Sequence, residues 1–219
     1  MLVKDRMTPN PIVGYPDMPV PEAQELMIEK GIRHLPILDT EQKIVGVITQ
    51  RSLLSALPSD VSRFSRFEIQ YTLSKIKVRD VMTKDVITIG EDTPIEEAAR
   101  VMADEKIGCL PVMERDHLVG IITDNDLFTV MVDLLGGRRP GVRLTVSQPD
   151  RAGEVARLTQ AIDKKGGYIS VIVTYPETEQ TWASVCRIRN VSKEELIDII
   201  VNLADTRIQD VREMNVLNG

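Results

Sequence analysis

Histidine and cysteine are scarce in this sequence, and their scarcity argues against two kinds of site. Among 219 residues there are two histidines, His34 and His117, and two cysteines, Cys109 and Cys186. Because the histidines are far apart and no CxxC or HxxxH spacing occurs, a zinc site lacks support, and we expect no metal. Both cysteines lie in apolar stretches, which predicts two buried thiols in a reducing compartment rather than a disulfide.

Long apolar runs and excess positive charge are also missing. No stretch approaches the run of about 18 apolar residues that spans a membrane. The start "MLVKDRMTPNP" reaches charge and proline too early for a signal peptide, so we expect a cytoplasmic protein without membrane contact. The formal net charge of -6 argues against nucleic acid as a partner, because broad binding needs a basic face. One small anionic ligand remains compatible, since it needs only a local cluster.

The sequence contains an internal repeat. The stretch from Val3 matches the stretch from Val78, with identical residues such as Met7 and Met82. A common register over about fifty residues with one deletion indicates two copies of one structural unit. We place the first copy at 1–57, a helical linker at 58–77 and the second copy at 78–136.

Each copy has the pattern of a βαββα unit. Prolines mark the start of the first helix in both copies. Two short strands follow, "LPIL" and "IVGVIT" or "LPVM" and "LVGIIT", and the second of each pair is apolar enough to be buried on both faces. A further helix closes each copy. Helical spacing predicts the buried faces of the first helices at Val20, Ala23 and Met27 and at Ile95, Ala98 and Met102.

A different unit follows the boundary marked by "LLGGRRPG". Residues 141–217 are predicted as strand, helix, strand, strand, helix and strand, the order of a ferredoxin-like split βαβ. Ser192 with Glu195 three residues later predicts a capping box at the second helix. The predicted fold class is therefore α/β for the repeats, which we expect to pack as a pair, and α+β for the C-terminal unit.

These patterns resemble two known regulatory modules. The repeat resembles a tandem pair of CBS domains, through its Leu-Pro-apolar strand and the strand end "GIITDND" (Gly120–Asp126). The C-terminal unit resembles an ACT domain, through "PDRAGEVARL" (Pro149–Leu158). The order CBS-CBS-ACT, with "IRHLP" and "IGCLP", is similar to the acetoin-utilisation accessory (AcuB-like) proteins of bacteria. The CBS resemblance implies an adenine nucleotide as a regulatory ligand, and the ACT resemblance implies an amino acid.

The strand end in the second copy carries the main candidate site. Thr123 precedes a helix whose free N–H groups suit a phosphate, and Asp126 can accept from both ribose hydroxyls. The alternative is a Thr/Asp helix cap without a ligand. In the first copy Thr49 is kept but Ser52 replaces the aspartate, which weakens that site, although Arg51 could supply charge.

Arg33 and Lys106 are candidate phosphate contacts. "Gly-apolar-Arg" before the proline strand resembles the phosphate-binding pattern of the γ subunit of AMP-activated protein kinase, and Arg33 matches it. Lys106 is the weaker counterpart in the second copy. His34 aligns with Cys109, so it is expected to line or pack in the cleft rather than act as a general base.

An adenine base needs a flat apolar slot, and the resemblance implies where it lies. Its candidate residues come from the extended pieces before each first helix and from the strands after it, and plain core is the alternative for each. They are Asn10, Pro11, Ile12, Ile32, Leu35 and Pro36 in the first copy, and Val86, Ile87, Thr88, Ile107, Cys109, Leu110 and Pro111 in the second.

In the C-terminal unit, the loop Asp150, Arg151, Ala152 and Gly153 is the candidate amino-acid site. Gly153 permits close approach of the backbone, and the following helix start suits a carboxylate. The ACT resemblance implies that Tyr168 and Ile169 of a second subunit complete it. A purely structural dimerisation domain is the alternative.

The expected function is regulatory. We interpret the chain as a homodimeric sensor that acts on an unidentified target protein, with no cofactor beyond its regulatory ligand. A constitutive scaffold with empty CBS sites is the alternative. An enzyme is disfavoured, because neither a nucleophile-base pair nor a phosphate-binding glycine loop is present.

Overall fold

The computed structural model describes residues 1–55 and 75–214. The chain divides into two compact units, Met1–Leu127 and Phe128–Gly219. The linker predicted at 58–77 lies largely outside the described residues. No helix in the described part of the chain is long and apolar enough to span a membrane.

The predicted order of elements is present in both repeats. The first contains a short 3-10 helix (Val3–Asp5), β1 (Thr8–Pro9), α1 (Val20–Glu29), β2 (His34–Leu38), β3 (Ile44–Thr49) and α2 (Gln50–Ser55). The second contains α3 (Val78–Val81), β4 (Ile89–Gly90), α4 (Ile95–Glu105), β5 (Cys109–Glu114), β6 (His117–Thr123) and α5 (Asp124–Leu134).

The predicted helix faces are buried. The apolar residues that were expected to line α1 and α4 are all between 0% and 6% exposed. Gly31 follows the end of helix α1 with a left-handed φ of 64°. Lys106 adopts φ 55° at the matching position, which few non-glycine residues do. Helix α5 buries Val130 and leaves Leu134 54% exposed.

The extended segment near the start of each repeat pairs with a strand of the other repeat. Strand β1 of the first repeat pairs antiparallel with β6 of the second. In the same way Thr83, which leads into the second repeat, exchanges two backbone hydrogen bonds of 3.0 Å with Val47 in β3. Val47 also packs with Cys109 and Ile121 in one apolar cluster. The two repeats therefore share both backbone pairing and core, as expected for a pair.

Two methionine–glycine contacts fix this exchange. A Cβ added to Gly120 would lie 2.3 Å from the Sδ of Met7, and a Cβ added to Gly46 would lie 2.3 Å from the Sδ of Met82. Met7 and Met82 are repeat-related, as are Gly46 and Gly120. The methionine near the start of each repeat thus packs against a glycine of the other repeat, and a side chain at that glycine would clash with the thioether.

The C-terminal unit has the predicted βαββαβ order. It contains β7 (Gly141–Pro149), α6 (Glu154–Asp163), β8 (Tyr168–Pro176), β9 (Thr181–Arg189), α7 (Lys193–Val201) and β10 (Arg207–Met214). The strands form one antiparallel sheet in the order β10-β7-β9-β8, with β8 at an edge. The predicted capping box is present, because Ser192 and Glu195 bond reciprocally at the start of α7.

Candidate functional site

The end of β6 and the start of α5 carry Thr123 and Asp126. The Thr123 backbone N–H donates to Asp126 Oδ2 at 2.8 Å, and the Thr123 hydroxyl donates to the same oxygen at 2.7 Å. Both side chains are partly exposed. Asp126 therefore forms the carboxylate half of a capping box, in which two donors of Thr123 share one carboxylate oxygen.

The first repeat has a different hydrogen-bond arrangement at the matching place, because its threonine accepts from the helix. Thr49 Oγ1 lies 3.1 Å from Ser52 Oγ and accepts from the Ser52 backbone N–H at 3.1 Å. Helix α2 has no acidic residue in its first turn, whereas α5 begins with Asp124 and also carries Asp126 there. The two strand–helix junctions therefore match in backbone and differ in charge.

Arg33 reaches the second repeat's junction from the first repeat. Its Nη2 donates to Asp124 Oδ1 at 3.1 Å, and the two side chains are 53% and 43% exposed. Asp124 directly follows Thr123, so Arg33 of the first copy lies near the Thr123–Asp126 pair of the second copy. We call Arg33, His34, Thr123, Asp124 and Asp126 the repeat junction.

His34 is half-buried beside the same aspartate. A Cβ added to Gly108 would lie 3.2 Å from His34 Nε2 and 3.5 Å from Asp124 Oδ2, so the glycine gives both side chains room. Burial lowers the pKa of His34 below its ordinary 6.5, Arg33 lowers it further, and Asp124 acts in the opposite direction. The lowered pKa favours the neutral imidazole. In the described part of the chain, no cluster of three or more His, Cys, Asp or Glu side chains could hold a metal.

The other candidate residues for a nucleotide lie at different depths. Leu110 is 0% exposed and Pro36, Pro111 and Cys109 are also buried, so these side chains belong to the interior. Their burial follows from strands covered on both faces. Burial, with a contribution from Asp124, raises the pKa of Cys109 to about 12. Partly exposed candidates are Ile12, Ile107 and Thr49, and exposed ones are Ile87, Thr88 and Lys106.

Sequence reasoning missed Asp124 and Gly108. It assigned Asp124 no role beyond the first residue of a helix, and Gly108 none beyond alignment with Arg33. The signal for Asp124 was its mismatch with Gln50, the neutral residue at the same place in the first repeat. Nothing in the sequence alone pairs it with Arg33, because that contact joins the two repeats.

The C-terminal unit has a cavity at the predicted loop. Its volume is about 470 Å³, and the lining includes Asp150, Arg151 and Gly153 from the loop together with Thr174 and Trp182 from the sheet. Gly153 has φ 93°, and a Cβ there would meet no atom within 4 Å. The loop glycine is thus required by its backbone angle and faces open space.

Arg151 and Glu154 at this cavity are already paired. Glu154 is buried, and its carboxylate accepts from Arg151 and, at 2.9 Å, from Arg157. Arg151 also donates to Asp205 at 2.9 Å. Its two acidic partners raise the pKa of the Arg151 guanidinium, with Glu154 the larger cause. Arg151 therefore stabilises the start of α6 and carries no unbalanced charge toward the cavity.

Tyr168 and Ile169 do not reach this cavity within one chain. They begin β8, where Tyr168 pairs with Arg189 and Ile169 with Ile188, whereas Thr174 and Trp182 at the cavity belong to the other end of the sheet. The guanidinium carbon of Arg189 lies 4.7 Å from the centre of the Tyr168 ring. That these two residues act from a second subunit stays a prediction.

A duplicated βαββα unit whose copies exchange strands and share one polar junction defines a tandem-repeat module. A sequence model of the CBS domain matches residues 3–59 and 78–133. The chain belongs to the family of CBS domain proteins. The predicted tandem CBS pair is thereby confirmed.

Two solved structures are similar to the pair. A protein assigned to acetoin utilization, AcuB from Vibrio cholerae, is 35% identical, with a TM-score of 0.52 over 62% of this chain and 93% of that one. The CBS domain pair of protein MJ0100, solved with 5-methylthioadenosine and S-adenosyl-L-methionine, is 30% identical, with a TM-score of 0.52 over 64% of this chain and 98% of that one.

A curated relative is an enzyme of a larger size. L-aspartate semialdehyde sulfurtransferase from Methanocaldococcus jannaschii is 32% identical over 139 residues, which are 63% of this chain and 24% of the relative. The chain thus spans about a quarter of that protein's length. The similarity concerns a part of the enzyme, and it does not transfer the enzyme's activity.

Proposed function

We propose that this chain is a regulatory sensor of adenosine compounds, which bind to its CBS pair in the second repeat. The observation that carries the proposal is the repeat junction, where Arg33 of one copy meets Asp124 beside Thr123 and Asp126 of the other. The neighbouring structure solved with two adenosine compounds supports the ligand class.

Asp126 is the proposed ribose contact. Both hydrogen bonds from Thr123 go to Oδ2, so Oδ1 is the atom assigned to a ribose hydroxyl. The cap holds the carboxylate in place before the ligand arrives. The base would lie against the exposed or partly exposed apolar candidates, of which Ile87 and Ile107 belong to the second repeat.

Titration calorimetry of the full chain with AMP, ADP, ATP, S-adenosylmethionine and 5′-methylthioadenosine tests the proposal. Asp126→Ala should weaken binding by about 1–3 kcal/mol, the scale of a lost charged hydrogen-bond partner. Ser52→Ala, at the matching position of the first repeat, is the control and should leave the affinity unchanged. Absence of binding by every compound to the wild-type chain would favour a scaffold with empty sites.

Arg33 is the proposed phosphate contact for ligands that carry phosphate. Arg33→Ala should weaken ATP binding more than adenosine binding, and the difference should shrink at high salt, because the guanidinium is half exposed. Equal losses for adenosine and ATP would remove Arg33 from phosphate recognition.

The chain itself is proposed to lack catalytic activity and to act in the cytoplasm on a target protein. Its two thiols are buried, and burial raises both pKa values to about 12, so neither is a ready nucleophile. His34 is half-buried beside Arg33 and Asp124, in a position suited to packing in the junction. The experiment is a pull-down from cytosol with and without the adenosine compound that binds in calorimetry.

A second proposed function belongs to the C-terminal unit, as an ACT domain that binds an amino acid. The cavity of about 470 Å³ at Asp150, Arg151 and Gly153 is the supporting observation, because its size suits a small ligand. Thermal shift of the full chain with each amino acid tests it. Gly153→Ala should abolish any shift, because φ 93° strains a residue with a Cβ.

The same unit is proposed to form a homodimer through the edge strand β8. Tyr168 and Tyr175 at its two ends are 53% and 45% exposed, and an open edge of this kind invites pairing. Antiparallel pairing of β8 with its copy would bring the partner's Tyr168 toward Tyr175, at the cavity end of the sheet. Analytical ultracentrifugation decides the point, since a chain that stays monomeric at tens of micromolar would contradict it.

A further inference from the structure

The repeat junction carries more negative than positive charge. Arg33 contributes one positive charge, and Asp124 and Asp126 contribute two negative charges. Burial and Arg33 lower the pKa of His34, which favours its neutral form over a further positive charge. A ligand group placed here therefore meets a field that favours a cation or a neutral group over an anion.

Asp124 competes with any anion for Arg33. The Arg33 guanidinium lies 3.1 Å from the Asp124 carboxylate, and both side chains remain partly exposed. A phosphate bound by Arg33 would therefore lie within a few ångströms of Asp124, or would have to displace it. In both cases the Arg33–Asp124 ion pair makes phosphate binding less favourable.

The start of α5 is also compensated already. Asp124 and Asp126 both lie in the first turn, where carboxylates balance the positive end of the helix dipole. The Thr123 N–H, a donor that a phosphate could use, is bonded to Asp126 at 2.8 Å. Helix α2, with Gln50 at the matching position, has no acid in its first turn. The acidic start is therefore particular to the second repeat.

We infer that Asp124 determines ligand charge at this site, and that the site takes adenosine compounds with a neutral or cationic 5′ substituent, such as a thioether or a sulfonium, in preference to 5′-phosphates. The inference rests on the proposed function, because it concerns the same ligand site. Because Arg33 is paired with Asp124, a phosphate gains less from Arg33 than it would from an unpaired guanidinium. Removal of the Asp124 charge releases that restraint.

The test compares 5′-methylthioadenosine with AMP by titration calorimetry on the full chain. The wild-type chain should bind the thioether at least about tenfold more tightly, which corresponds to about 1.4 kcal/mol. Asp124→Asn should raise the affinity for AMP by about tenfold and leave that for the thioether within about twofold. Asp124→Gln, which copies Gln50 of the first repeat, is the second variant in case the first folds poorly.

Asp92→Asn is the matched control. Asp92 is an acid of the same unit, exposed and paired with Lys4 at 2.6 Å, so its loss removes the same charge from another ion pair. It should leave both affinities unchanged. An unchanged ratio of the two affinities in both Asp124 variants, with binding intact, overturns the inference and leaves the proposed function standing. Failure of these two compounds and of ADP, ATP and S-adenosylmethionine to bind the wild-type chain overturns both.

Discussion

The contact between Met7 and Gly120 offers a direct measure of how firmly the repeats hold each other. In Gly120→Ala the new Cβ would lie 2.3 Å from Met7 Sδ and 3.0 Å from its Cγ. An ordinary carbon contact is about 3.5–4.0 Å, so the thioether must retreat by more than about 1 Å. Overpacking of this kind destabilises by about 1–3 kcal/mol, and the flexibility of methionine favours the lower part of that range.

A double-mutant cycle isolates the effect. Urea unfolding followed by circular dichroism would give the free energy of unfolding for the wild type, Gly120→Ala, Met7→Ala and the double variant. With Met7 shortened, Gly120→Ala should be neutral or stabilising by about 0.5–1 kcal/mol, because alanine restricts the unfolded chain more than glycine does. The coupling energy should therefore be about 1–3 kcal/mol.

Repeat symmetry supplies the internal checks. Gly46→Ala with Met82→Ala should show coupling of the same sign, because the contact distance is again 2.3 Å. Gly90→Ala is the control, since its nearest atom would be the Thr93 hydroxyl at 3.5 Å, an ordinary contact. The same loss from Gly120→Ala in both Met7 backgrounds would refute the account of strand exchange.

Three further predictions concern buried polar groups. Since the pKa of His34 is lowered, the unfolded chain binds that proton more readily, so stability should fall as the pH drops below 6.5, and His34→Gln should lose less in urea unfolding across that range. Cys109 and Cys186, with pKa values of about 12, should react with a thiol reagent at pH 8 only after unfolding; a rapid native reaction would contradict their burial. Arg187 is 4% exposed, and its Nε and Nη1 have no partner among the described residues, so Arg187→Met should stabilise by about 1 kcal/mol or more; a loss of stability would reveal a partner.

Local pattern predicted most of the fold. Helical spacing identified buried faces such as Val20, Ala23 and Met27, because the residues that make one face recur within a few positions of each other. The βαββαβ order of the C-terminal unit followed from alternation, turns and a cap in the same way. These signals act over short stretches, so one sequence suffices to detect them.

Local patterns did not predict which residues of one repeat contact which residues of the other. The pairing of β1 with β6 and the bond from Arg33 to Asp124 join residues that are remote in sequence, and no local rule selects such partners. The Thr123–Asp126 pair was foreseen as two alternatives, a cap or a ligand grip. The structure shows Thr123 donating twice to Asp126 Oδ2, and the ligand grip stays a prediction that depends on Oδ1.

The two copies share their packing contacts but differ in their polar residues. Both copies keep the methionine and the glycine that lock the exchanged strands, so the steric framework is symmetric. The polar positions are not: Gln50 is matched with Asp124, and Ser52 with Asp126.

The same division holds where the strands begin, because Arg33 and His34 of the first copy are matched with Gly108 and Cys109 of the second. Gly108 of the second copy has no side chain, and His34 of the first copy lies close to it, 3.2 Å from where a Cβ would be. Each copy thus supplies what the other lacks at the repeat junction. The positive charge of the repeat junction comes from the first copy and its negative charges come from the second. Neither repeat alone would therefore reproduce the charge of the junction.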